Sequence, residues 1–181
     1  MLTSETTATP AMPTPAPNGA AAAPVVLTDE QMQQLQHQDL MVSAAFARIV
    51  GILMRSPQYK HVSLTDLEWL VVPPLMLGQF AMIDGRIEGL PLPVPAAVAL
   101  WANVSAAVDE RLSNNLTSPI RLRPDEWRSG EILWLVDVIG DPNASTLLVQ
   151  QLQAGPFKAR EAKRRKMGRE GRVIVVDSIL E

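Results

Sequence analysis

The chain has 181 residues, 47% of them apolar, which is enough for one packed domain plus a tail. It has no cysteine, which excludes disulfides, thiolate metal sites and a cysteine nucleophile and fits a reducing compartment. The net charge of −3 is too small to name a partner, but it is polarised: residues 158–181 carry +4 and the rest of the chain −7.

Residues 1–26 are mostly Ala, Pro and Thr, with five prolines between Pro10 and Pro24. Such a segment buries too little to offset the entropy of ordering, so we expect a disordered tail ahead of one domain over residues 27–181. The first basic residue is Arg48, so no charged leader region is expected. The longest apolar stretch, Leu90 to Ala102, is broken by Pro91, Pro93 and Pro95 and falls short of the ~20 residues that cross a bilayer. A soluble, cytoplasmic protein without a membrane span is the expectation.

Thr28-Asp29-Glu30-Gln31 has the form of a capping box. Met32, Leu35, Val42, Ala45, Phe46, Ile49, Ile52 and Leu53 follow at helical spacing, which predicts a helix to about Arg55, stopped by Pro57. Leu64 to Val72 is apolar and fits a helix or a buried strand, ended by Pro73-Pro74. Gln79 to Asp84 reads as a short strand closed by an Asp84-Gly85 turn, and Val94 to Val104 as a buried strand. Ser105 opens a helix with Val108 and Leu112 inward and Asp109, Glu110 and Arg111 outward. Glu131 to Ile139 is a near-continuous apolar run, as in a strand covered on both faces. Asp141-Pro142 starts a helix to about Gln153 with Leu147, Leu148 and Leu152 as its core face, and Val173 to Val176 is a last strand. Alternating strands and helices predict an α/β layered domain with a central mixed sheet and flanking helices.

Asp137 stands alone in Trp134-Leu135-Val136-Asp137-Val138-Ile139. A charged group in a buried strand is costly unless paired, bonded or protonated, so it marks either a site or a half-exposed strand end. The chain has two histidines. His37 lies among polar residues of the first helix, while His61 follows the break at Pro57 and is the candidate base, since an Asp–His pair can orient an imidazole. There is no Gly-rich phosphate loop, no Gly-x-Ser-x-Gly elbow and no His/carboxylate cluster, so neither a metal nor a bound cofactor is expected.

Several segments carry a family pattern. Ser56-Pro57, Leu64, Pro73 and Gln79 resemble the N-terminal half of the hemolysin-activating (HlyC-like) lysine acyltransferases that activate RTX toxins. Trp101-Ala102-Asn103-Val104-Ser105 is similar to their Trp-Ala-Asn-Leu-Ser stretch. Asp125 to Gly130, then Trp134 and Asp137, resemble their Asp-Trp-x-Ser-Gly…Trp-x-x-Asp signature, and Phe157 to Asp177 parallels the basic stretch and strand that follow. The resemblance covers roughly residues 45–177.

It implies a GNAT-like fold and transfer of a fatty acyl group from acyl carrier protein to internal lysines of an RTX-type protein. It also implies a catalytic histidine shortly after Ser-Pro and a catalytic aspartate, which Asp137 matches. Counted without gaps, that histidine falls on Tyr59, and His61 lies two residues later. We favour His61 as its equivalent, because a neutral imidazole is a competent base near pH 7 and a phenol is not; Tyr59 in its place would put activity in doubt. Ser56 and Asn103 are then candidate oxyanion donors, and Trp101, Trp127 and Trp134 are core residues that also qualify as an acyl groove. Lys158, Arg160, Lys163, Arg164, Arg165, Lys166, Arg169 and Arg172 form a basic run that suits an acidic acyl carrier protein better than nucleic acid, since no DNA-binding motif accompanies it. By analogy the first helix suits a homodimer interface. The rival readings are a non-catalytic binding module of the same fold, for acyl carrier protein or an RTX chain, and a small adaptor or nucleic-acid regulator.

Overall fold

A computed structural model describes residues 28–86, 89, 91–168 and 171–177. The expected tail over residues 1–26 and the basic residue Arg169 lie outside these residues. Within them, none of the helices is long and apolar enough to cross a membrane.

Helix α1 spans Asp29–Arg55 and opens on the predicted capping box between Thr28 and Gln31. Its expected core stripe is corrected at the N-terminal end. Met32 and Leu35 are 45% and 48% exposed, and packing begins only at Val42. The ambiguous segment after His61 is helical. It forms α2 (Leu64–Leu70), capped by Ser63 and Asp66, and α3 (Val72–Met76). Pro73 and Pro74, expected to end this region, instead sit in the first turn of α3, where a missing N–H leaves no hydrogen bond unmade.

Strand β1 is Phe80–Gly85, β2 is Val94–Val104 and β3 is Ile132–Gly140. Between β2 and β3 lies α4 (Ala106–Asn114); after β3 come α5 (Pro142–Ala154), β4 (Ala162–Met167) and β5 (Val173–Val176). Gly85 belongs to β1 and pairs with Val94, so the expected turn at Asp84-Gly85 begins later. The sheet order follows the chain, β1-β2-β3-β4-β5, antiparallel except for β3–β4, which is parallel.

The sheet is the middle layer. Val98, Leu100, Ala102 and Val104 of β2 join Ile49, Ile52 and Leu53 of α1 and Leu70, Val71 and Leu75 on one face. Ala97 and Ala99 join Leu148, Val149 and Leu152 of α5 on the other. The period-two alternation of a strand thus feeds two cores at once, which is why β2 and β3 read as continuous apolar runs. This is the mixed α/β architecture that the alternation of elements predicts, consistent with the GNAT-like fold that the resemblance implies. On α5 the inward residue beside Leu148 is Val149; Leu147, expected in the core, is 47% exposed.

Candidate active site

Two irregularities of the sheet make the site. The first is a bulge in β3. Leu100 faces Asp137 but the next residue, Trp101, faces Leu135, so Val136 is an extra residue on β3. An inserted residue breaks the strand's alternation and re-aims the side chains beside it. Val136 and the adjacent Asp137 both line one cavity, where a regular strand would send them to opposite faces.

The second is a wedge. β3 and β4 pair only at Leu133–Ala162 and Trp134–Lys163. Beyond that, β3 stays with β2 as far as Gly140, while β4 stays with β5 as far as Met167. A cavity of about 830 Å³ is lined by Val136 and Asp137 of β3, Arg165 and Lys166 of β4, and Val173 of β5. Tyr59, His61, Val62, Trp69 and Leu70 line it from the helical side, and residues 116–120 complete the wall. Its volume suits a small-molecule or acyl-sized ligand.

Asp137 is the polar centre of this cavity. Its Oδ1 accepts the backbone N–H of Val138 at 2.9 Å, and its Oδ2 accepts the Tyr59 hydroxyl. Burial pushes the carboxyl up to about 6, and the Val138 N–H opposes that rise. The side chain sequence reasoning favoured as its partner, His61, lines the same cavity but is exposed. Among the described residues neither a hydrogen bond nor an ion pair joins His61 to Asp137. Tyr59, which packs against the core and sits in a short 3-10 turn begun by Pro57, makes that contact instead.

The other candidate residues lie elsewhere. Ser56 is 6% exposed, and its hydroxyl donates to the Ile52 carbonyl at 2.9 Å, closing α1. Asn103 faces Leu133, four residues along β3 from Asp137. That is roughly 13 Å at 3.3 Å per residue. Its side-chain oxygen accepts Arg160 at 2.8 Å. Neither lines the cavity that Asp137 lines. Trp127 and Trp134 are fully buried in the core, and Trp134 Nε1 donates to Asp109 at 2.7 Å. Trp101 stacks edge-on against Phe157, 5.3 Å between centroids, on the α5 face. The tryptophan that lines the cavity is Trp69.

Sequence reasoning passed over Trp69. A usable signal was present, for Asp66 and Trp69 stand three apart on one helix, and the indole donates to Asp66 at 3.1 Å. The Arg121 guanidinium lies 5.1 Å from the Trp69 ring centre. Hydrogen bonds from the Ser63 side chain and backbone, then from Trp69, hold the Asp66 carboxyl down to about 2, with Arg121 adding to them and burial opposing. Trp69 is therefore held from two sides as a fixed wall.

The basic run is not one uniform patch. Lys163 is paired to Asp109 at 2.9 Å, which corrects the expectation that Asp109 faces outward. Arg165 donates to the Leu112 carbonyl at 2.6 Å and to the Ser118 carbonyl at 2.7 Å, pinning the end of α4 and the 116–120 wall to β4. Lys166 lines the cavity, and Lys158 and Arg160 are exposed. Groups of three or more His, Asp or Glu able to hold a metal are absent among the described residues.

The sequence model of the HlyC family, the RTX toxin acyltransferases, matches residues 38–179. The chain belongs to the RTX toxin acyltransferase family. It is also similar to the leukotoxin-activating lysine-acyltransferase LktC of Pasteurella haemolytica-like sp. (strain 5943B), 26% identical over 113 residues. That match covers 62% of this chain and 63% of the relative, so the chain spans less than two thirds of the curated relative's length.

Much of what gave this RTX toxin acyltransferase family member its signature is structural. Ser129 Oγ accepts the Ser105 N–H at 3.0 Å and donates to the Glu126 carbonyl at 3.0 Å, tying the signature loop to the start of α4. A Cβ at Gly130 would meet the Val104 carbonyl at 2.5 Å and the Ser105 Cα at 2.6 Å. The Ser-Gly pair thus lets β2 and the loop before β3 pack together. Of the signature residues, Asp137 alone lines the cavity.

Proposed function

We propose that this chain transfers a fatty acyl group from the thioester of an acyl carrier protein to lysine ε-amines of an RTX-type protein. The observation that carries the reading is a half-apolar wedge whose polar centre is a half-buried carboxyl raised to about 6. The amine attacks the thioester carbonyl, the C–N bond forms, the C–S bond breaks, and the thiol leaves with a proton. The ammonium must first lose a proton, and its pKa is about 10.4. Moving that proton to a carboxyl of pKa about 6 is uphill by roughly 6 kcal/mol, against about 9 kcal/mol for an ordinary aspartate. His61 lies on the same cavity and passes the proton on to solvent, which returns Asp137 to its ionised form. Trp69, Leu70, Ile120, Val136 and Val173 supply the apolar wall for the acyl chain. Lys166 at the cavity, with exposed Lys158 and Arg160, offers positive charge to an acidic carrier protein. The donor is a substrate, so the chain needs no resident cofactor, and the reaction belongs in the cytoplasm with its donor.

The test is intact-mass analysis of an RTX protein co-expressed with this chain, with His61→Ala and with Asp137→Ala. A fatty-acyl mass gain with the wild-type chain, lost in both variants, is the expected result. The Tyr59 contact to Asp137 favours a second reading, a non-catalytic binding module of the same fold. A folded wild-type chain that gives no mass gain on its proper substrate, yet still binds acyl carrier protein, would establish that reading.

A further inference from the structure

Asp137 has two protein donors, the Val138 N–H on Oδ1 and the Tyr59 hydroxyl on Oδ2. The first comes from its own backbone and is fixed by the strand. The second comes from a residue 78 positions away in sequence, which lines the same cavity from the helical side. Tyr59 is itself anchored: its ring packs on the sheet core, and its backbone N–H donates to the Ser56 carbonyl at 3.0 Å. The other charged or titratable side chains on the cavity are His61, Asp66, Arg165 and Lys166. Asp66 is engaged by Ser63 and Trp69, and Arg165 by two carbonyls. On α1, which packs against β3, Arg48 is paired with Asp84 and Arg55 donates to the Pro95 carbonyl. The donor that reaches the carboxylate is therefore Tyr59.

We propose that Tyr59 is the positioning residue of this site, its phenol fixing the orientation of the Asp137 carboxylate and favouring its ionised form. The inference rests on the acyltransferase reading for its role in turnover, but not for the coupling itself. A donor to a carboxylate stabilises the charged form, so its loss raises the pH at which the acid ionises. Two lone-pair directions remain on the carboxylate for an incoming proton, because an ionised carboxyl accepts about four hydrogen bonds.

Two readouts test this on the full chain. In the first, carboxyl carbon NMR follows the titration of Asp137, assigned by Asp137→Asn, in wild type and in Tyr59→Phe, which keeps the packed ring. The midpoint is expected to move up by about one to two pH units in Tyr59→Phe, a roughly 10- to 100-fold change in the proton equilibrium. In the second, acyl transfer is timed from pH 6 to 9. Tyr59→Phe is expected to be several-fold slower than wild type at pH 7, with that deficit gone by pH 9, where both carboxyls are ionised. An unchanged midpoint in Tyr59→Phe overturns the proposal, and so does a rate ratio that stays constant across pH. A midpoint that moves in a chain showing no acyl transfer at any pH supports the coupling and removes the acyltransferase reading.

Discussion

Replacing Asp137 with Asn tests whether the site is held at a cost to the fold. The carboxyl is raised from 3.8 to about 6 by burial. Between those values the folded chain binds a proton that the unfolded chain does not, so stability falls as pH rises through that window. The contribution is fully present below the unfolded value and lost above about pH 6. About two pKa units correspond to roughly 3 kcal/mol, and the part expressed between pH 4 and pH 8 is about 2–3 kcal/mol. Asn removes the titration while keeping a carbonyl for the Val138 N–H and an amide that can donate to the Tyr59 oxygen. Urea unfolding of both chains at pH 4 and pH 8 measures the difference and cancels every other titrating group. Asp137→Asn should gain about 2–3 kcal/mol relative to wild type between pH 4 and pH 8. At roughly 2–4 °C of melting temperature per kcal/mol for a chain of this size, calorimetry should see the same gain. An Asn variant whose advantage is the same at both pH values would refute the argument, because it would show that Asp137 ionises in the folded chain as it does in water.

Two further predictions concern the frame around the site. Gly130→Ala places a Cβ 2.5 Å from the Val104 carbonyl and 2.6 Å from the Ser105 Cα; since both contacts are backbone, the variant should lose about 2 kcal/mol or more in urea unfolding. Leu148→Ala removes a side chain that is 2% exposed and should cost about 2–5 kcal/mol, whereas Leu147→Ala, at 47% exposure, should stay within about 0.5 kcal/mol.

The elements most visible in the sequence are those whose cause is local. The capping box at Thr28, the stop at Pro57 and the apolar runs of β2 and β3 appear where expected, because caps, proline and burial on both faces act through neighbouring residues. β4 was hidden by its composition. Lys163, Arg164, Arg165 and Lys166 in sequence read as a solvated charge run. They form a strand because long-range partners are waiting, Asp109 for Lys163 and two carbonyls for Arg165. The same partnership turns Asp109 inward against its helical-wheel position. Asp137 stood out as an anomaly in an apolar run, but the bulge at Val136 that aims it into the wedge depends on register with β2, which no single strand encodes. The order of Tyr59 and His61 along the chain could not say which of the two reaches the carboxylate, because that depends on how the 3-10 turn at Pro57 enters the sheet.

The wedge joins these observations into one physical account. A regular parallel pair would have closed β4 against β3 and buried both edges. Here Arg165 ties β4 to the end of α4 and to the 116–120 wall, so β4 follows that wall instead of β3. The gap exposes the bulge, and the bulge presents an acid to a half-apolar cavity. Low polarity raises the acid's proton affinity, and that one change has two consequences of equal size. On the acyltransferase reading it lowers the cost of taking a proton from an amine by about 3 kcal/mol, and it takes about 3 kcal/mol from the neutral-pH stability of the fold. Asp137→Asn should therefore gain stability over wild type from pH 4 to pH 8 and be inactive at pH 8. The half-buried carboxyl of β3 is thus held where its charge opposes folding, and the stability difference between pH 4 and pH 8 measures how strongly.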